Sequence, residues 1–297
     1  MKNRNRASTH PAITVFFLIS SVACIIPFWL VLVVSLTNQD VLDRDGYRFW
    51  PAQWDLTAYQ YLANDAEPIV RAYGVSIFVT LTGVVLSLII TSAMAYTLSR
   101  KDFPLQGFLS FFVFFTMLFN GGLLPWYLVY TRMLNLQDTL LALIIPGLLS
   151  GFNVLIMRTF FTNSIPPSLI DSAQMDGASE YRTYYSIILP LSLPVMATIG
   201  LFTTVAYWND WFTSLVFINN QNLYSLQYFL QKTLMNDSFL ANLASTSSMA
   251  NSTIKTQPPL ESIRMAMAIL AIGPIALVFP FIQKYFVKGL TVGAVKG

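Results

Sequence analysis

Charge is scarce in this 297-residue chain: Asp, Glu, Lys and Arg together make up 10% of it, against about 25% in an ordinary soluble protein. With 55% hydrophobic residues, such a composition belongs to proteins that cross a membrane several times. The net charge of +3 is too small to hold nucleic acid by its phosphates, so no nucleic-acid partner is expected. A single cysteine, Cys24, excludes an intrachain disulfide. The single histidine, His10, stands before the first apolar run without clustered ligands, so no metal site is expected. No Gly-x-x-x-x-Gly-Lys-Ser/Thr loop is present, so the chain itself should not bind ATP. No nucleophile–base pair is evident either. The expectation is a protein that is not an enzyme, with no catalytic residue and no cofactor of its own.

What the chain does have is long apolar runs. A membrane-crossing helix needs about 20 such residues, and six stretches qualify: Ala12–Leu36, Ala72–Leu98, Leu105–Thr131, Thr139–Met157, Ile187–Tyr207 and Met265–Gln283. None contains Asp, Glu, Lys, Arg or His. Ion-coupled carriers usually keep an ionisable group inside the membrane, so a proton-coupled carrier is disfavoured. Sodium coupling through carbonyls and hydroxyls stays open. The first run is too long for a secretory signal, whose apolar core is about 7–15 residues, and reads as an uncleaved span. The fold expected is an all-α polytopic membrane protein with six transmembrane helices, residues 1–297 forming one transmembrane domain.

Orientation follows from the basic residues. With the N-terminus inside, ten Lys and Arg face the cytoplasm and crowd the span ends, while seven are spread through longer outer loops. That is the positive-inside arrangement, and it puts both termini in the cytoplasm. Two outer segments, 39–71 and 208–263, are long enough to carry structure. The first contains Trp50 and Trp54, whose rings suit the membrane–water boundary. The second contains Trp208, Asn209 and Asp210, then a polar run over Asn236–Gln257.

The most informative polar stretch is the cytoplasmic loop 163–190, within which residues 166–190 read PPSLIDSAQMDGASEYRTYYSIILP. Pro166 and Pro167 suit the first turn of a helix, where a missing N–H costs nothing. Gly177 suits the left-handed position that ends one. Ser179 can cap a second helix, with Glu180 in its first turn, where the dipole favours an acid. A two-helix loop around Gly177 is the expectation. Tyr181, Tyr184 and Tyr185 fall at i, i+3, i+4 and would form one aromatic stripe.

This stretch resembles the EAA loop of membrane subunits of binding-protein-dependent ABC importers. That family's pattern is E-A-A, three residues, Gly, nine residues, then I-x-L-P. Asp171, Ser172 and Ala173 stand for E-A-A, Gly177 is the glycine, and Ile187, Leu189 and Pro190 fall at the required offsets. Asp for Glu and Ser for Ala are the two departures. The resemblance continues through Asn120, Gly121, Gly122, Pro125, Asn135, Leu136, Pro146, Phe152, Asn153, Arg158, Phe160 and Phe161. It continues again at Trp208–Asp210, Gly289 and Gly293–Gly297. Within the family, the stretch looks like that of the maltose-type carbohydrate importers.

The resemblance implies a permease subunit for a sugar, expected to be an oligosaccharide, in the bacterial inner membrane. It implies a homologous second permease, an ATPase dimer that holds ATP and Mg on the cytoplasmic side, and an extracytoplasmic solute-binding protein. ATPase coupling is carried over to Asp171, Ser172, Ala173, Met175, Asp176, Gly177, Tyr181, Tyr184 and Tyr185. The tyrosine stripe can equally pack on this protein's own helix ends. For the substrate path, aromatic rings stack on sugars and amides bond hydroxyls, which nominates Tyr127, Tyr130, Asn153, Trp208 and Asn209. The tyrosines and Trp208 can instead be interfacial anchors, and Asn153 an interhelical hydrogen bond. The alternatives are a carrier or channel without an ATPase, and an importer for another solute such as a polyol or glycerol phosphate.

Overall fold

The computed structural model describes residues 11–64, 66–233, 235, 261–274 and 276. Among these the chain is almost wholly helical, and the β contact present is an isolated antiparallel bridge between Thr37 and Trp54. In chain order the helices are α1 (Pro11–Ser35), α2 (Gln39–Asp45), α3 (Thr57–Asn64) and α4 (Ala66–Ser99). Then follow α5 (Gln106–Leu118), α6 (Leu123–Met133), α7 (Leu140–Gly147) and α8 (Gly151–Ser164). Next come α9 (Pro167–Met175), α10 (Glu180–Leu191), α11 (Leu193–Trp208) and α12 (Phe212–Phe217). Helices α13 (226–233) and α14 (261–274) complete the described set.

The contacts group these helices into two compact units, divided at residues 66, 232 and 273. In the first, α1 is an uncharged 25-residue helix. The segment after it is held by short polar side chains. Asn38 caps α2, its side-chain oxygen accepting the Asp40 N–H at 2.9 Å, and its amide donates to Asp55 at 2.7 Å. Asp55 also accepts the N–H and the hydroxyl of Thr57. The Thr57 hydroxyl, then its N–H, hold the Asp55 carboxyl below the usual range. Trp50 and Trp54, named above for the boundary, are exposed and sit edge to face at 5.9 Å.

The second unit is built on α4. Its 34 residues span about 50 Å at 1.5 Å per residue, longer than the roughly 30 Å hydrocarbon core. One face is small and hydroxylic: Ser76, Thr80, Gly83, Ser87, Thr91 and Ala95 are all buried. Such residues let neighbouring backbones approach where hydrophobicity alone gives lipid-facing helices no reason to associate. The approach is closest at Gly83, where a Cβ would lie 2.5 Å from the Tyr207 ring. Tyr207 donates its hydroxyl to the Ile144 carbonyl at 2.6 Å, joining α11 to α7. A second cluster unites Ala95 and Leu98 of α4 with Val113, Val154, Met157, Ile188 and Ile199.

Three of the expected spans are not straight. Leu105–Thr131 is divided by a 115° bend between α5 and α6, where Asn120 accepts the Gly122 N–H in a local turn. Thr139–Met157 bends by 47° between α7 and α8, after a 3₁₀ turn containing Pro146. Ile187–Tyr207 begins inside α10 and bends by 76° at Ser192 before entering α11. Ser192 sits between Pro190 and Pro194 and turns its hydroxyl back to the Ile188 carbonyl. A periodic apolar run carries no record of such breaks, because membrane helices tolerate Pro and Gly when the freed groups are re-satisfied. Among the described residues, two helices are long and apolar enough to cross a membrane alone, and up to five spans result if each bent pair counts as one. Residues Asn236–Gln257, most of the expected last span beyond residue 274, and the Gly289–Gly297 tail lie outside the described residues.

Candidate coupling site

The loop between α8 and α11 folds as two short helices at an angle set by its turn chemistry. Pro167 is the first helical residue of α9 and Pro166, in extended conformation, its cap. The end of α9 is closed by a pair of backbone bonds. Ala178 N–H donates to the Ala173 carbonyl at 2.9 Å and Gly177 N–H to the Gln174 carbonyl at 3.0 Å. This 6→1 and 5→2 pair is a Schellman motif, and it requires a left-handed residue at its hinge. Gly177 supplies it, with φ +76°. Ser179 then caps α10, its hydroxyl accepting the Arg182 N–H at 3.4 Å.

Glu180 staples the loop to the end of α4. One carboxylate oxygen accepts the Tyr96 hydroxyl at 2.6 Å; the other accepts Arg100 at 3.2 Å and the Gln174 amide at 3.0 Å. Arg100 also donates to Asp102 at 3.0 Å, and its own side chain is largely covered, at 15% exposure. These contacts are charge-assisted, a class stronger than neutral hydrogen bonds. A few residues on, α10 passes through a π-helical turn, Tyr184–Ile188. There Tyr184 turns inward, its hydroxyl 2.7 Å from Ser92 and its ring 5.3 Å from Tyr96.

The tyrosines therefore do not form one stripe. Tyr184 is 8% exposed, whereas Tyr181 and Tyr185 are 78% and 62% exposed. The π-turn widens the helix locally, so a 3.6-residue period does not place all three rings on one face. Of the other coupling candidates, Ala173 is buried under the turn, while Asp171, Ser172, Met175, Asp176 and Gly177 are exposed. Met175 is 89% exposed. Leu169, Met175, Tyr181 and Tyr185 thus give the loop an exposed apolar and aromatic surface flanked by the two aspartates.

The path candidates separate differently. Tyr127 and Tyr130 of α6 both pack on Phe217, at 6.1 and 5.5 Å between ring centroids, with Trp126 at 4.6 Å. Trp208 is buried and lies 6.4 Å from Tyr73, not at an exposed boundary. Asn209 is exposed and donates its amide to the Val205 carbonyl at 3.0 Å. Asn153 is half-buried on α8 and shares no hydrogen bond or ring contact with this set among the described residues.

Three structural anchors were not apparent in the sequence. Glu180 reads as a first-turn acid, and nothing ties it to Tyr96 or Arg100, 84 and 80 positions away. Tyr207 was the last residue of an apolar run. Asp138 was a loop acid, yet at φ +56° its carboxylate accepts the N–H groups of Asn220 and Asn219 at 2.8 and 2.5 Å. Those bonds, Asn220 first, hold it below the ordinary aspartate range. A non-glycine left-handed Asp is the signal that could have found it, and it is a backbone fact.

The family described as "binding-protein-dependent transport system inner membrane component" matches residues 83–292. The chain is similar to the polygalacturonan/rhamnogalacturonan transport system permease protein YtcP of Bacillus subtilis, at 37% identity over 95% of this chain and 96% of that protein. Protein LplC of the same species is 38% identical over 92% and 90% of the two chains. Among solved structures, a bacterial ABC transporter involved in import of the acidic polysaccharide alginate contains a chain that superposes with a TM-score of 0.78. That chain is 28% identical, with 96% of this chain and 99% of that one covered. The family match over most of the length, and the 37% identity over nearly all of it, agree with the loop geometry and the apolar helices. The chain belongs to this family: it is a multi-pass inner-membrane component of a binding-protein-dependent transport system, a transport subunit and not an enzyme.

Proposed function

We propose that the chain is one half of a two-permease path that imports an acidic oligosaccharide, driven by ATP hydrolysis on separate subunits. The observation that carries the reading is the exposed two-helix loop. Met175, Tyr181 and Tyr185 face outward on a turn closed by Gly177 and stapled by Glu180, a rigid knob with a sticky apolar surface. A rigid knob suits a partner that moves. An ATPase dimer, holding ATP and Mg, would close on the knob and rock the helices to switch access from one side to the other.

The arrangement needs a homologous second permease and an extracytoplasmic binding protein. Both termini are cytoplasmic in this reading, because ten of the 17 Lys and Arg cluster at the cytoplasmic span ends. Counting each bent pair as one span gives five, and the Met265–Gln283 run makes the sixth. The acidic character of the cargo is supported by two similar proteins, named for polygalacturonan/rhamnogalacturonan transport and for alginate import. Asn209 and Asn153 remain suited to sugar hydroxyls. The rings of Tyr127, Tyr130 and Trp208 are engaged in packing and shape the path by holding helices.

The test is uptake into vesicles that contain the chain, its second permease and the ATPase, with the binding protein outside and ATP inside. Labelled oligogalacturonate and a neutral oligosaccharide of equal length are compared. Uptake should require ATP and binding protein and favour the uronate. Uptake without ATP would overturn the importer reading, and transport of the neutral sugar alone would overturn the cargo.

A further inference from the structure

We infer that Glu180 is a positioning residue whose staple to Tyr96 and Arg100 makes α4 a second route by which the loop's movement reaches the far side of the membrane. The inference rests on the importer reading above and goes beyond it. The covalent route is plain: α10 continues into α11. But that route contains a π-turn at Tyr184–Ile188 and a 76° bend at Ser192. A connection that turns through 76° does not direct a push along α10 into the axis of α11.

Helix α4 has neither defect. It runs as one α-helix from Ala66 to Ser99 without an internal break. Its last turns are gripped by the loop through several bonds. Tyr96 and Arg100 bind Glu180, and Ser92 binds Tyr184. Its opposite half is gripped as well. Ser76 accepts the Leu226 N–H at 2.8 Å, and Gly83 lies under the Tyr207 ring. From Ser76 to Tyr96 is 20 residues, about 30 Å at 1.5 Å per residue, the thickness of the hydrocarbon core. Leu226 belongs to the segment that follows α12, which the charge distribution places outside. Loop and outer segment are therefore clamped to the two ends of one stiff rod.

The carboxylate of Glu180 is the centre of the inner clamp, because it joins Tyr96, Arg100 and Gln174. Its role is mechanical: it touches no nucleotide and no substrate in this reading.

The experiment uses the full reconstituted importer with Glu180→Gln, Tyr96→Phe and the double variant. Glu180→Gln keeps size and removes charge; Tyr96→Phe removes one hydroxyl from an otherwise unchanged ring. Three quantities are read: ATPase subunits retained per permease, basal ATP hydrolysis, and sugar imported per ATP hydrolysed. Subunit retention and basal hydrolysis should stay at wild-type levels. Sugar per ATP should fall about tenfold, the factor equivalent to losing one charge-assisted hydrogen bond. The double variant should lose less than the product of the two single losses, since both residues act through one contact. A wild-type ratio of sugar to ATP in both single variants would overturn the inference, as would loss of subunit assembly in both, which marks a merely structural contact. Failure of wild-type complexes to import in an ATP-dependent way would instead overturn the importer reading.

Discussion

Gly177 offers a test in which sterics and backbone strain separate cleanly. A Cβ built on it would meet nothing within 4 Å, yet its φ is +76°. Any loss on substitution therefore comes from the left-handed backbone alone. An L-residue there costs roughly 1–2 kcal/mol, Asn less because its side chain tolerates the region, and a β-branched residue more. If the Schellman turn must form for the loop to dock, 1–2 kcal/mol corresponds to about a 5- to 30-fold fall in the docked population, at 1.4 kcal/mol per factor of ten. The series Gly177→Asn, Ala and Val should thus lower ATPase co-purification and uptake in that order. Permease abundance in the membrane should hold, because the exposed turn lies outside the apolar helices. The assay is ATPase recovered per permease after detergent extraction, with uptake measured in parallel. Full recovery with Val, or a worse result with Asn than with Ala, would refute the argument from φ.

Gly83→Ala puts a methyl into the Tyr207 ring, which is held by its bond to Ile144; overpacking of about 1–3 kcal/mol should lower the thermal midpoint in detergent, while Gly74→Ala, with open space around it, should not. Tyr184→Phe should lower that midpoint slightly by removing its bond to Ser92, whose hydroxyl keeps the Ile89 carbonyl, whereas Tyr185→Phe, exposed, should leave it unchanged. Asp138 has a folded-state pKa below its unfolded one, so its contribution is present above the unfolded value and lost as pH falls through the folded one. The stability gap between wild type and Asp138→Asn should therefore be constant near neutral pH and close in the acid range below the ordinary aspartate value, as read from thermal midpoints across a pH series.

How much of this was legible in the residues depends on how far each contact reaches. Turn chemistry is local, and the loop shows it: Pro167 at a first helical position, Gly177 left-handed and Ser179 as a cap all occur where residue type alone places them. Apolar runs correctly announced membrane helices, but they could not announce bends. Asn120–Gly122 and Ser192 interrupt runs whose composition does not change across the break. The tyrosine stripe failed for a related reason. A helical wheel assumes 3.6 residues per turn, and the π-turn from Tyr184 violates it where Tyr184 must reach Ser92. Long-range partners were out of reach in principle. Glu180 and Tyr96, Tyr207 and Gly83, Asp138 and Asn220 each join residues about 80 to 125 positions apart, and one sequence carries no signal that pairs them. Each of these pairs clamps one helix or turn to another, and a sequence that reads well element by element can still conceal how the elements are tied. In a transporter those ties decide which parts move as one body. The Glu180 staple ties the loop to one end of α4 and the Tyr207 ring ties α11 to its other half, so the bend at Ser192 lies between two points held on one helix.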